Sequence, residues 1–255
     1  MTFYLSAASG RTAHFLGECV PDDSLPPSAE KKFANPALLV SYVFLDRFFL
    51  PNREKLNFRE WVMDSGAYSA HNSGVEITLA EYIKTCRRLL DEDKKLKEVF
   101  ALDVIGDPKA SAENCAEMWS EGIPAVPCFH IGEPERVLFE MAEKYPKIAV
   151  GGMVGMGGGI KERFIGQVFA RVWPKKIHGF GIGSEKLMLN FPFDSVDATN
   201  WEIGACAFGR WHTFGNMSVK GKDQNLISEV EHCLRLERRA ESRWKKIKQK
   251  AFDEN

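Results

Sequence analysis

No two of the six cysteines (Cys19, Cys86, Cys115, Cys128, Cys206 and Cys233) stand at C-x-x-C spacing. That is a poor framework for disulfides or structural zinc, and all six read as thiols of a reducing compartment. Charge of one sign is missing too. Thirty-four Lys and Arg face thirty-five Asp and Glu, so no global field draws in a polyanion, and any nucleic acid must be held by local patches. Nor does any apolar run approach the roughly 20 residues that span a bilayer. The longest, around Leu38 to Leu50, is broken by Asp46 and Arg47. The opening MTFYLSAASG lacks the basic start and long apolar stretch of a secretory signal, which argues for a cytoplasmic protein with no membrane partner. Repeats and low-complexity blocks are absent as well.

What remains is an ordinary globular composition. The 255 residues match one (β/α)8 barrel or two small domains, and 44% hydrophobic residues suffice for a sizeable core. Val20 to Lys32, with three prolines among polar residues, reads as a solvated loop inserted early in the chain. From residue 60 onward short apolar runs alternate with helical patterns. Strands are expected at Trp61–Asp64, Val99–Ile105, Ala125–His130, Ile148–Val154, Ile177–Ile182 and Phe193–Asp197. Helices are expected at Leu79–Leu90, Ser111–Ser120, Glu133–Lys144, Ile160–Trp173 and Ser184–Asn190. Continuous apolar strands between helices imply a parallel sheet buried on both faces. Adding Leu38–Phe44 and Ala205–Trp211 brings the strands to eight. This favours an α/β fold of the (β/α)8 TIM-barrel type, as one domain over residues 1–255.

In such a barrel the chemistry sits where strands end. Asp64 opens DSGAY, Asp103 sits in ALDVIGD, His130 closes VPCFH, Gly151 and Gly152 end IAVGG, Gly181 and Gly183 end HGFGIG, and Asp197 ends FDSVD. A carboxylate at a strand end can attack an anomeric carbon while a second moves protons, the pairing that retaining glycosyl transfer needs. Asp64 and Asp197, on the second and seventh expected strands, could meet across the mouth as such a pair. Asp64, with Ser65 and the turn-forming Gly66, serves equally well as a helix cap. Asp194 shares the FDSVD segment and reads more readily as a surface acid.

Asp103 lies in an apolar run, where an unpaired charge is costly. The adjacent N–H donors of a guanine-type edge would satisfy it, and so would a Lys or Arg from a neighbouring strand. His130, like His178 in HGFGIG, is either a functional ring or a satisfied structural one. No pair of His or Cys has the local spacing of structural zinc, so neither metal nor cofactor is expected. From Arg235 to Lys250 eight basic residues face two acidic ones, interleaved with Leu236, Trp244 and Ile247. A helix of that kind, over about residues 225–250, lies along a phosphate backbone or packs by its apolar stripe.

Taken together, these motifs resemble a family. DSGAY is similar to the D-S-G-G-[FY] motif of tRNA-guanine transglycosylases, and ALDVIGD to their strand bearing the base-recognising Asp. GGM resembles their G-G-L base-pocket loop, and PFDSVD their G-V-D-x-F-D segment, whose last Asp is the covalent nucleophile. The order agrees over roughly residues 60–200. DSGAYSA, LDVIGD, FHIGE, GGMVG, HGFGIGS and SVDATNW look closer still to the small phage-type DNA-guanine transglycosylases, the DpdA enzymes. The resemblance implies a barrel that exchanges guanine in DNA for 7-cyano-7-deazaguanine (preQ0) or a relative.

By that resemblance Asp197 is the nucleophile and Asp64 the general base, with Asp194 and His178 secondary candidates. Asp103, His130, Gly151, Gly152, Met153, Ser65 and Gly66 form the base pocket. The partners implied are duplex DNA with a flipped guanine nucleotide, a free 7-deazaguanine base and accessory proteins. One departure is clear: the tRNA enzymes carry a C-x-C-x-x-C zinc site with a later His, whereas only Cys206 and Cys233 follow Asp197. The zinc subdomain is therefore missing, which suits a DNA substrate better than tRNA. The competing readings are a tRNA-acting enzyme, a non-catalytic nucleic-acid-binding barrel and a glycoside hydrolase. The last needs exposed Trp platforms, and only Trp201 is placed to be one.

Overall fold

The computed structural model describes residues 1–7, 36–202 and 222–253. Eight parallel strands form one sheet: β1 Thr2–Ala7, β2 Ala37–Ser41, β3 Glu60–Asp64, β4 Leu96–Val99, β5 Cys128–His130, β6 Lys147–Gly151, β7 Lys176–Gly179 and β8 Ser195–Ala198. Their order is β4-β3-β2-β1-β8-β7-β6-β5. A parallel bridge between Phe100 and Val126 closes the seam between β4 and β5. There Ala101 N–H donates to Val126 O and Val126 N–H to Val99 O, each at 2.9 Å. The fold is an α/β (β/α)8 TIM barrel.

Helices alternate with the strands: α1 Ala67–Ser73, α2 Leu79–Glu92, α3 Pro108–Ser120, α4 Glu135–Lys144, α5 Gly158–Val172, α6 Glu185–Asn190 and α7 Lys222–Asp253. Local chemistry sets several starts. Thr78 accepts from Glu81 N–H and donates to Glu81 Oε2 at 2.8 Å, the reciprocal capping that opens α2. Asp107 caps α3 by accepting from Ala110 N–H at 3.0 Å, with Pro108 at the first helical position.

Strand parity divides the core. Leu5, Leu38, Val40, Trp61, Ile148 and Val196 face outward into the helices. Tyr4, Leu39, Val62, Phe100, Cys128 and Ala149 face the barrel axis. Near the N-terminal ends of the strands the interior is polar. Lys147 Nζ lies 2.7 Å from Glu98 Oε2, 2.9 Å from Asp194 Oδ2 and 2.9 Å from Ser195 Oγ. Lys147→Met strands the two carboxylates, and a loss of about 3 kcal/mol in urea denaturation is expected. A loss below about 1 kcal/mol would mean that solvent satisfies both acids.

The observed strands depart from the pattern in instructive places. β1, at the very start of the chain, is the strand that periodicity did not single out; the expected strand Ala205–Trp211 lies outside the described residues. Asp64 and Asp197 accordingly sit on the third and eighth strands, not the second and seventh. The expected strand Val99–Ile105 is displaced: β4 is Leu96–Val99, and the chain leaves the sheet after Phe100. Lys97 and Glu98 disguised it, because Glu98 is turned toward Lys147 rather than water. β2 ends at Ser41 and passes into irregular helical turns through residue 55.

α7 packs by its apolar stripe, with Leu226, Val230 and Leu234 buried. Its Glu237 accepts from Phe3 N–H and pairs with Arg59, both at the N-terminal ends of strands, while Trp244 Nε1–H donates to Met188 O. Arg235 and Arg239 are engaged by Glu231 and Glu185. The packing role of this helix is visible in these contacts. Among the described residues no helix is long and apolar enough to cross a membrane.

Candidate active site

Asp197 is 7% exposed and held by donors. Ser6 Oγ donates to Oδ2 at 2.6 Å and Gly181 N–H to Oδ1 at 3.0 Å, and His178 Nε2 lies 3.4 Å from Oδ1. Gly181 has φ of 66°, the left-handed turn that directs its N–H at the carboxylate. Backbone pairing runs from Asp197 through Tyr4 and Ala37 to Glu60. With the tilt of this barrel, equal height climbs about one residue per strand, so the third strand comes level with Asp197 near Met63 or Asp64.

Asp64 ends β3 and accepts from Gly66 N–H at 3.0 Å. Gly66 has φ of 74°, and a Cβ there would lie 2.7 Å from Ser41 Oγ, so both the turn and the space demand glycine. Burial first, then the charges of Asp197 and Asp103, push the Asp64 carboxyl up to about 7, and N–H donors from Gly66 and Ser65 only partly offset this. The three acids lie at or just past the C-terminal ends of β3, β4 and β8, at the same end of the barrel. Ser65 itself turns its hydroxyl toward Ala67 N–H at 3.4 Å, which makes it part of the turn.

On the far wall, Asp103 follows β4 on a loop fixed by α3. Asn114 Nδ2 donates to Leu102 O at 2.9 Å, and Ser111 Oγ accepts from Val104 N–H at 2.8 Å. Its partner is neither Lys nor Arg but His130, whose Nε2 lies 3.4 Å from Asp103 Oδ2 while Nδ1 lies 3.2 Å from Glu133 Oε1. Burial opposes charge on this ring, but Asp103, Cys128 and Glu133 outweigh it and hold its pKa far above the ordinary histidine value.

Beside them a Cβ on Gly151 would come 2.8 Å from Cys128 Sγ, and Gly152, at φ of 75°, carries the chain past His130. Met153 is buried next to these glycines. Gly151→Ala is expected to cost roughly 1–3 kcal/mol by overpacking in thermal or urea melts. Adding Cys128→Ala should restore most of it; no recovery would mean the clash lies elsewhere.

Below the acids lies an aromatic floor. The rings of Phe100 and Phe180, Phe100 and His178, and His178 and Phe180 have centroids 4.6, 4.6 and 4.7 Å apart. Exposed Tyr68 sits in α1 after β3, and exposed Val104, Ile105 and Val154 sit on the loops after β4 and β6. They give the mouth an apolar rim.

Sequence reasoning brings Asp64, Asp103, His130, Gly151, Gly152, Met153 and Asp197 to one end of the barrel, and so they are found. Asp194 is not among them: it precedes β8 at the opposite end, and burial notwithstanding, Lys147 holds its carboxyl below the usual range. Trp201 is fully buried and offers no platform to a sugar. Ser6, Glu133 and Cys128 are site residues that no motif singled out. For Ser6 the only available signal was its alternation with Tyr4 in a strand that was itself overlooked.

Asp103, Cys128 and His130 bring an oxygen, a sulfur and a nitrogen within 4.8 Å of one another, the one such grouping among the described residues. Local spacing could not show it, because Cys128 and His130 stand on β5 while Asp103 comes from the loop after β4. A cation there would need the Cys128 thiolate, and burial pushes that thiol up to about 12.

No protein-family model matches the chain, and no curated protein matches it in sequence. Solved structures match it in shape. A structure described as a fructose-1,6-biphosphate aldolase from Coccidioides immitis has a TM-score of 0.56 at 10% identity, over 92% of this chain and 89% of that one. Tryptophan synthase from M. tuberculosis has a TM-score of 0.51 at 9% identity, over 92% of each chain. At such identities the likeness speaks for the barrel and not for the chemistry performed in it.

Proposed function

We propose that this protein is an enzyme, a pentosyltransferase that exchanges guanine in DNA for a 7-deazaguanine base through a covalent aspartyl-glycosyl intermediate. The observation that carries the reading is the pairing of Asp197 with Asp64. One carboxylate accepts from Ser6 Oγ–H and Gly181 N–H with His178 Nε2 3.4 Å away, and the second, at the same end of the barrel, has its pKa raised to about 7 by burial and then by the charge of Asp197. Two acids with separated roles are what a double displacement at C1′ needs.

In the first half, Asp197 attacks C1′, the C1′–N9 bond breaks, and protonated Asp64 gives its proton to the departing guanine. In the second, ionised Asp64 takes the N9 proton of the incoming base, whose nitrogen attacks C1′ as the aspartyl ester breaks. Two inversions give retention. A carboxyl near pKa 7 suits both proton transfers. The purine edge is read by Asp103, whose Oδ2 lies 3.4 Å from His130 Nε2 and whose other oxygen is left to accept from the base. Gly151 and Gly152, whose missing Cβ atoms leave room for Cys128 and His130, set the wall beside which the base lies. Turning the nucleotide out of a duplex costs roughly a few kcal/mol, and the apolar rim at the mouth is placed to fill the gap it leaves.

The test is incubation of the purified chain with labelled guanine or preQ0 and either duplex DNA or tRNA, followed by nucleoside mass spectrometry. Label is expected in DNA. Label in tRNA alone would transfer the reading to the RNA enzymes, and binding without exchange would leave a nucleic-acid-binding barrel.

A further inference from the structure

His178 lies beneath Asp197 on β7, with its side chain fully buried. No proton transfer or bond-forming step of the proposed exchange uses it, yet it is wired across the barrel. Its Nδ1 is 2.9 Å from Ser195 Oγ, and that oxygen is 2.9 Å from Lys147 Nζ. An ammonium can only donate, so Ser195 accepts from Lys147. The serine hydroxyl hydrogen then goes to His178 Nδ1, its remaining partner among the described residues. An imidazole that accepts at Nδ1 carries its own hydrogen on Nε2, and Nε2 is the atom 3.4 Å from Asp197 Oδ1.

We propose that His178 is a positioning residue: fixed as the Nε2–H tautomer by the Lys147–Ser195 string, it holds Oδ1 of Asp197 and presents Oδ2 to the sugar. Oδ1 then has the fixed Gly181 N–H as its donor and, 3.4 Å away, the buried His178 Nε2, which makes no hydrogen bond among the described residues and has Oδ1 as its polar neighbour, whereas Oδ2 has the rotatable Ser6 hydroxyl. During attack the donors on Oδ1 stop the carboxylate from rotating. After the C1′–Oδ2 bond forms, Oδ1 is the ester carbonyl oxygen. The same donors meet the charge that returns to the carboxylate when that bond breaks. No proton passes through His178.

The groups facing the ring are Asp197 and Ser195 from β8, Lys147 from β6 with Glu98 behind it, Tyr4 from β1, and the rings of Phe100 and Phe180. Burial, with Lys147, lowers its pKa against the pull of Asp197, which keeps the ring neutral.

The role rests on the glycosyl-exchange reading, whereas the tautomer does not, and the two are measured separately. Long-range ¹H–¹⁵N NMR of the ¹⁵N-labelled full chain, with His178 assigned by difference from His178→Gln, is expected to show a neutral Nε2–H ring from about pH 5.5 to 9. In Ser195→Ala the tautomers should mix. An Nδ1–H ring in the wild type, or one that titrates in that range, overturns the string.

In the exchange assay His178→Gln, which keeps an N–H donor near the Nε2 position, should stay within about tenfold of wild type with the same pH profile. His178→Leu should lose at least about 100-fold. Equal losses in both variants would reduce His178 to packing and overturn its positioning role. A wild-type chain that exchanges no base while showing the Nε2–H ring would sink the transglycosylase reading and this role within it, and would leave the string standing.

Discussion

Asp197→Asn is expected to lower base exchange by at least about 10⁴-fold and to abolish the covalent protein–DNA adduct expected of the wild type on denaturing gels, while the protein still folds. The amide oxygen can keep the bond from Gly181 N–H and its place beside His178 Nε2, and the amide nitrogen can donate to Ser6, whose hydroxyl accepts as readily as it donates. The carboxylamide thus fits its surroundings but cannot form the ester. Circular dichroism and a melt within a few degrees of wild type establish folding. Exchange within tenfold of wild type, or an adduct that persists, would remove Asp197 as nucleophile. Asp194 would not inherit the role, because it lies at the other end of the barrel, bonded to Lys147.

Asp64→Asn is expected to slow exchange by about 10²–10⁴-fold with little change in DNA binding, since it removes the proton donor and acceptor but none of the base-reading groups. In the wild type the rate should change near pH 7, the range to which burial and the charge of Asp197 move this carboxyl. In Asp64→Asn that inflection should vanish. An unchanged rate in the variant would dismiss the assignment.

Stability moves in the opposite direction. The folded protein holds the Asp64 proton more tightly than the unfolded chain does. The carboxyl therefore favours the folded state below about pH 4, and that advantage drains away as pH rises through 7. Asp64→Asn should consequently stabilise the protein above pH 7 by about 2 to 4 kcal/mol and little at pH 4. Urea denaturation at both pH values measures this, and a variant less stable at high pH would mean that the ionised acid is well accommodated.

The legible part of this molecule lies where one local signal dominates. The apolar runs Trp61–Asp64 and Ile148–Val154 read as strands buried on both faces, the second leaving the sheet at Gly151, and the acids and glycines that end them fall where barrel chemistry belongs. Hydrophobic period and turn chemistry are properties of neighbouring residues, so the alternation of strands and helices, and the positions of Asp64, Asp103, His130, Gly151 and Asp197, follow from the chain alone.

Where strands carry charges for the barrel interior, the signal fails. Leu96–Val99 is half charged, and only across the barrel does Glu98 find Lys147. Thr2–Ala7, with Tyr4 and Ser6 turned inward, looks no different from an extended terminus until β2 and β8 pair with it. The donors on Asp197, the His130 ring between Asp103 and Glu133, and the string from Lys147 to His178 were settled only by tertiary structure. The reason is physical: hydrogen bonds and charge–charge interactions act over a few ångströms of space whatever the separation along the chain, and barrel closure is what brings residues 6, 147, 178 and 197 within that reach.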